Sequence, residues 1–222
     1  MEETSSREPL SRPSIVGVAI AIADDEGVGV LTMRYLADRL GFKAMALYNH
    51  VSNKEELLGL MVDAVADEIN DPPADQPPLD AVRAMAISTR AALVRHPWAP
   101  DLWQRHMPGP ARTRHMENLL RTFDQSGLSP ELAHHGFHAV NNHVLGYTLQ
   151  EITMSLALEG SDDPWEKAYE FLDLFDADVY PYTVAHVHQH IEGHTGASFE
   201  LVLDFILDGL QRLNNDGSAR NL

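Results

Sequence analysis

Apolar residues recur along nearly the whole chain with a period of about 3.6 residues, and no stretch alternates apolar and polar side chains between hairpin turns. That pattern predicts an all-α protein. With 222 residues, 44% of them apolar and 22% charged, the chain can bury a sizeable core, which excludes wholesale disorder and fibrous classes. The length suits one large domain or a small head on a larger body.

Segment by segment, Pro13 opens a helix with Ile15, Val18, Ala19 and Ile22 on one face, and the helix ends at Asp24-Asp25-Glu26-Gly27. Thr32 is placed to cap a short second helix with Leu36, Ala37 and Leu40 inward, and Gly41 stops it. A third helix is expected over Lys43 to Val51. Ser52 and Glu55 have capping-box spacing ahead of a fourth helix carrying Leu57, Leu58, Met61, Ala64, Val65 and Ile69. Asp71 to Pro78 holds four prolines in eight residues and cannot be helical, so it reads either as a domain boundary or as a stiff kink between packed helices.

Beyond it, helices are expected over Leu79 to Arg95, Pro100 to His106 and Pro110 to Ser126. A long one follows from the N-cap Ser129 to Glu159, with Gly160 as its stop, and another covers Pro164 to Phe175. In the last helix Phe199, Leu203, Ile206, Leu210 and Leu213 are spaced 4, 3, 4 and 3, the seam of a helix packed lengthwise on another. The partner helix could belong to the same chain or to a second copy.

Thirty-three acidic residues against 16 basic ones give a formal net charge of −17, which argues against a polyanionic partner for the surface as a whole. The sign reverses locally. Between Thr32 and Lys54, the cations Arg34, Arg39, Lys43 and Lys54 face Asp38 alone. The absence of cysteine excludes a disulfide scaffold, a thiolate metal site and a cysteine nucleophile. No secretory signal is read at the N-terminus and no apolar run reaches the roughly 18 residues of a membrane span, so a cytoplasmic location is expected.

Helix, glycine turn, helix, then a capped longer helix is the layout of a helix-turn-helix. A recognition helix presents small or polar side chains to base edges at its N-terminal end and is flanked by donors for phosphate oxygens. Lys43, Ala44, Met45 and Ala46 occupy the base-facing end, while Tyr48, Asn49, His50 and Lys54 are placed to reach the backbone. Tyr48 and His50 could instead pack between the third and fourth helices.

The run LTMRYLADRLGFKAMALYNHVSNKEELL, Leu31 to Leu58, resembles the tetracycline-repressor (TetR) family of bacterial transcription regulators. It has Thr-x-Arg opening the second helix, Leu-Gly at the turn, Leu-Tyr-x-His-Val in the third helix and Asn-Lys before the fourth. GLSPELAHHGFHAVNNHVLGYTLQE, Gly127 to Glu151, is similar to a long helix of the tetracycline repressors themselves. The resemblance implies an N-terminal helix-turn-helix DNA-binding head plus a C-terminal helical ligand-binding and dimerisation bundle. Residues 1–12 are then a flexible arm, 13–70 the DNA-binding domain and 71–222 the ligand-binding and dimerisation domain.

Carried over by position, the family implies that Arg34, Lys43, Ala44, Met45 and Ala46 face bases of double-stranded operator DNA. Thr32, Tyr48, Asn49, His50 and Lys54 would hold phosphates. Ala44, Met45 and Ala46 depart from the more polar or rigid residues of the tetracycline repressors, which favours apolar contact with thymine methyls over bidentate hydrogen bonding. The implied effector positions are Asn70, Met85, Thr89, Trp103, His106, Leu119, His134, Phe137, His138 and Asn141. Trp103 stands where the family's magnesium-holding histidine would be, and Met85 where its drug-orienting amide would be. Both departures argue against tetracycline and for an aromatic or apolar small-molecule effector. The resemblance further implies a homodimer through the helices near 129–159 and 198–213, where Gly136 and Gly146 would allow close approach.

Twelve histidines raise a metal reading, since His134 and His138, and His186 and His190, are spaced i, i+4. A complete site needs three or four converging ligands and no HExxH accompanies these pairs, so no metal and no cofactor is expected. The competing function is a histidine-rich, metal-dependent hydrolase in an all-helical body. The expected one is a ligand-responsive repressor without enzymatic activity, bound to a palindromic operator and released by its effector.

Overall fold

The computed structural model describes residues 9–72, 75–158, 169, 170, 172–193 and 198–216, and among these every regular element is a helix. In chain order they are α1 (Arg12–Glu26), α2 (Met33–Leu40), α3 (Ala44–Leu47), α4 (Lys54–Ala66), α5 (Pro78–Arg95), α6 (Ala99–Arg105), α7 (Pro110–Asp124), α8 (Pro130–Leu158), α9 (Pro181–Gly193) and α10 (Phe199–Asn215). They group into two compact units, 1–127 and 128–222. The helix-turn-helix and α5 to α7 therefore share the first unit.

In the first unit α1 begins at a reciprocal cap. Ser14 N donates to Ser11 Oγ at 3.3 Å, and Ser11 N donates to Ser14 Oγ at 3.0 Å. Most of the expected N-terminal arm lies outside the described residues, and its last residue, Arg12, is already helical. Ile15, Ile22, Leu31, Leu36, Leu47, Leu57 and Met61 are fully buried, each stabilising the packing of α1 to α4 by about 1.5–3 kcal/mol on area grounds. Thr32 caps α2 by accepting from Tyr35 N at 3.1 Å. Gly41 closes it at φ 73°, a left-handed conformation in which a side chain is strained, and its amide bonds back into α2.

Two local expectations shift. The recognition helix is helical only over Ala44–Leu47 rather than to Val51, because three-residue turns replace its last turn. Asn49 N bonds to Ala46 and His50 N to Leu47 in tight turns, and Arg12 donates twice to the His50 carbonyl, at 3.0 and 2.9 Å. The cap of α4 lies one residue later than Ser52. Asn53 is extended and accepts from Glu56 N at 2.8 Å, while Glu56 Oε2 accepts from Ser52 N at 2.7 Å. Asn caps as well as Ser, so pattern alone did not separate the two registers.

In the second unit α8 packs along α10, and His143 joins them by stacking on Phe199 with ring centroids 4.7 Å apart. The buried residues of α10 are Phe199, Leu203, Leu207 and Leu210, so Leu207 takes the place expected of Ile206, which with Leu213 is only half-buried. The spacing becomes 4, 4 and 3, as a straight helix of about 3.6 residues per turn requires. Leu201 and Phe205 stay exposed. The expected stop at Gly160, residues 164–168 of the expected helix after it and the side chain of His190 lie outside the described residues.

Candidate functional site

The residues expected to face DNA lie on α2 and its N-cap, on α3 and its N-cap, in the turn that follows α3 and at the start of α4. Arg34, Lys43 and Asn49 are exposed, as is Thr32, whose Oγ accepts the capping amide and leaves its hydroxyl proton to donate outward. Met45 is 74% exposed, and Tyr48 is also exposed. Ala44, Ala46, His50 and Lys54 are half-buried. Only Leu47 of the short helix is turned into the core. One face therefore offers two cations, a thioether, a phenol and small side chains at a spacing set by the buried leucine.

Arg39 does not belong to that face. Its guanidinium lies 2.6 Å from Glu26 and 3.1 Å from the Tyr35 hydroxyl, and Tyr35 also donates to Glu26 at 2.8 Å. The Tyr35 hydroxyl first, and then Arg39, hold the Glu26 carboxyl below its usual range. The local positive charge counted along the sequence is thus partly neutralised before any nucleic acid arrives. Sequence distance hid this pairing, since Glu26 lies on the other side of a turn.

The implied effector positions are divided between the two units. In the first, Met85, Thr89 and Leu119 are buried where α5 meets α7, Trp103 and His106 are half-buried at the end of α6, and Asn70 is exposed. Thr89 Oγ bonds to the Met85 carbonyl at 2.7 Å and lies 3.3 Å from His115 Nε2. A cavity of about 330 Å³ opens between α5 and α7 beside the proline segment; Met85 lines it together with Asp71, Asn118, Arg121 and Thr122. Of the implied positions, it is Met85 that reaches this cavity. In the second unit Phe137 is buried, Asn141 is half-buried, and His134 and His138 are exposed with their rings edge to face, 4.7 Å between centroids.

Trp103 and His106 are fixed through their backbone. The buried Arg112 guanidinium donates to the carbonyls of Trp103 at 2.8 Å and His106 at 3.0 Å, and to that of Met107, while its carbon lies 5.7 Å from the Trp103 ring centroid. Burial lowers the pKa of Arg112, and Asp63 opposes that shift. Among the described residues no group of three or more His, Asp or Glu side chains is arranged so that it could hold a metal ion.

Helix-turn-helix geometry, an exposed cationic and apolar recognition face and an all-helical body define a DNA-binding regulator. Residues 74–213 match the family model of the tetracyclin repressor-like C-terminal domain. An HTH-type transcriptional repressor, DrrR1, of Streptomyces coeruleorubidus is 32% identical over 92% of this chain and 78% of its own. An HTH-type transcriptional regulator of Saccharopolyspora erythraea is 35% identical over 65% of this chain and 63% of its own, so the chain spans less than two thirds of that relative. The TetR-family protein ActR of Streptomyces coelicolor, solved with actinorhodin, superposes with a TM-score of 0.75 at 29% identity, covering 92% of this chain and 98% of that one. This chain belongs to the tetracycline-repressor family of transcriptional regulators. The hydrolase alternative finds no support in these relatives.

Proposed function

We propose that the protein is a homodimeric repressor that binds a palindromic operator and leaves it when a small aromatic or apolar effector enters the body. The observation that carries this reading is the exposed face of Lys43, Met45 and Tyr48 around a buried Leu47, in a family of DNA-binding regulators. Lys43, Ala44, Met45, Ala46 and Arg34 read bases. Thr32, Tyr48, Asn49, His50 and Lys54 hold phosphates. Two heads bound one turn apart would engage half-sites about 34–36 Å from centre to centre.

Dimerisation is supported by apolar side chains of α8 and α10 that are exposed among the described residues. Leu149, Met154, Leu201 and Phe205 are exposed, and a Cβ added to Gly146 would meet nothing within 4 Å. The effector reading is supported by the likeness to ActR with its bound actinorhodin, by the half-buried Trp103 and by the partly polar α5–α7 cavity. An effector must prefer the released state by about 5.5 kcal/mol to turn an operator-bound population from dominant to rare.

The test is a gel-shift and anisotropy titration on duplex DNA from immediately upstream of the protein's own coding sequence. Wild type is expected to bind a palindromic segment as a dimer, and the double variant Lys43→Ala, Tyr48→Ala to lose that binding. Equal affinity of the double variant would reject the assigned face.

A further inference from the structure

At the corner between α5 and α6, one buried imidazole touches two helices of the DNA-binding head. His96 is 7% exposed. Its Nδ1 lies 2.9 and 3.0 Å from the two carboxylate oxygens of Asp24, near the end of α1, and its Nε2 lies 3.0 Å from Glu68 Oε1, just beyond α4. The flanking residues complete the arrangement. Trp98 Nε1 donates to Asp24 Oδ1 at 2.7 Å, and Arg95 donates to Glu68 Oε2 through Nε at 3.1 Å and Nη2 at 2.7 Å.

A carboxylate can only accept, so an imidazole facing one on each side satisfies both only when both ring nitrogens carry protons. Charge balance points the same way. Asp24 and Glu68 carry two negative charges beside the buried ring, and Arg95 supplies one positive charge to Glu68 alone; a protonated His96 supplies the second and is bonded to both carboxylates. Partial burial raises the pKa of Glu68, yet the hydrogen bonds from Arg95 and His96 outweigh it and hold that carboxyl below its usual range. Asp24 of α1, Glu68 just beyond α4 and Arg95 of α5 are the charged groups gathered around the ring.

We propose that His96, as an imidazolium clasped between Asp24 and Glu68, is the positioning residue that fixes α1 and α4 to the α5–α6 corner and so sets the orientation of the recognition helix for operator binding. α1 and α4 flank α2 and α3 in sequence, and α1 packs on both α2 and α4. One proton thus joins both supports of the helix-turn-helix to the body through a single side chain. Without it one of the two bonds is lost, and a ring lone pair faces a carboxylate. This inference rests on the DNA-binding reading for its consequence, and on the geometry alone for the charge state.

The experiment has two arms on the full-length protein. In the first, long-range 1H–15N correlation spectra assign the His96 ring by its absence from His96→Gln. Both nitrogens are expected to carry protons in the folded wild type, as donors to Asp24 and Glu68, and Asp24→Asn or Glu68→Gln is expected to remove the need for one of them and leave a neutral tautomer. In the second, anisotropy on the upstream duplex is followed between pH 6 and 8.5. His96→Gln is expected to weaken binding about tenfold at pH 6, within the range of a single coupling contact. The wild-type affinity should fall toward that of the variant as the pH rises. Because His50 lies at the DNA face and is common to both proteins, the difference between the two profiles isolates His96. A neutral wild-type ring, or coincident affinities and profiles with unchanged far-ultraviolet dichroism, overturns the proposal. If wild type binds no duplex at all, the operator reading fails for that DNA, and the ring spectrum alone decides the clasp.

Discussion

Asp63 on α4 and Arg112 on α7 pin three helices at one point. The Asp63 carboxylate accepts from the Ala111 and Arg112 amides at 3.1 and 2.9 Å, a negative charge placed on the N-terminus of α7, while the Arg112 side chain turns to the carbonyls that end α6. The approach is close enough that a Cβ on Gly109 would sit 2.5 Å from the Asp63 carboxylate. The two residues therefore tie the helix that follows the recognition unit to both helices bearing Trp103, His106 and Leu119.

That contact fixes a double-mutant result. Asp63→Ala removes the acceptor for two amides and the partner of a buried guanidinium, and Gly109→Ala forces the carboxylate away; each is expected to cost about 1–3 kcal/mol. In the Asp63→Ala background the added methyl has nothing to strike, and its cost should largely vanish. Urea unfolding of the four proteins measures the cycle. An alanine at 109 that costs the same in both backgrounds would contradict the tight approach.

Much of this was legible along the chain, and the reason is locality. Thr32, Gly41 and Ser129 act within one turn of themselves, so each cap or stop could be read from neighbours in the sequence. The exposure of Lys43, Met45 and Tyr48 follows from the same locality, because Leu47 alone of the short α3 is drawn into the core. Contacts such as Arg12 with the His50 carbonyl, Glu26 with Arg39 and Asp24 with His96 join residues 38, 13 and 72 positions apart, and no periodicity encodes them. Those contacts decide which cations remain free for DNA and where the recognition helix stops.

The pairing of Arg39 separates two cations that sequence alone counts alike. Lys43→Ala is expected to reduce the slope of log affinity against log salt by about 0.9, the loss of one phosphate contact. Arg39→Ala is expected to leave the slope unchanged, since its charge is spent on Glu26 and Tyr35. Operator titrations at several salt concentrations distinguish them. An equal drop in slope for both would mean that Arg39 leaves Glu26 when DNA binds.

His115 gives a pH dependence of known sign. Burial pushes its pKa below the ordinary imidazole value of 6.5, with Asp71 opposing the shift, and its Nε2 faces the Thr89 hydroxyl. The unfolded chain then takes up the proton first as pH falls below 6.5, so stability contributed by the neutral ring is present above that pH and is lost toward the lower folded value. His115→Gln should flatten the acid-side decline in stability that begins below 6.5. Denaturant unfolding of both proteins at a series of pH values checks it, and parallel curves would remove His115 from the account.

The exposed apolar side chains of α10 supply the test of assembly. Phe205 is 64% and Leu201 52% exposed, one helical turn apart, while the buried face of the same helix is already filled by α8. If these residues form the centre of a dimer seam, a carboxylate placed there must be desolvated without a partner, at a cost of several kcal/mol per chain. Phe205→Glu should then raise the dimer dissociation constant by two orders of magnitude or more, since about 1.4 kcal/mol is a factor of ten. Because Phe205 contributes little to the fold of a single chain, helix content should be preserved. Light scattering after size exclusion, at several protein concentrations, reads the outcome; the variant should elute as a monomer of about half the wild-type mass and lose operator binding with it. A dimeric Phe205→Glu would place the association surface elsewhere.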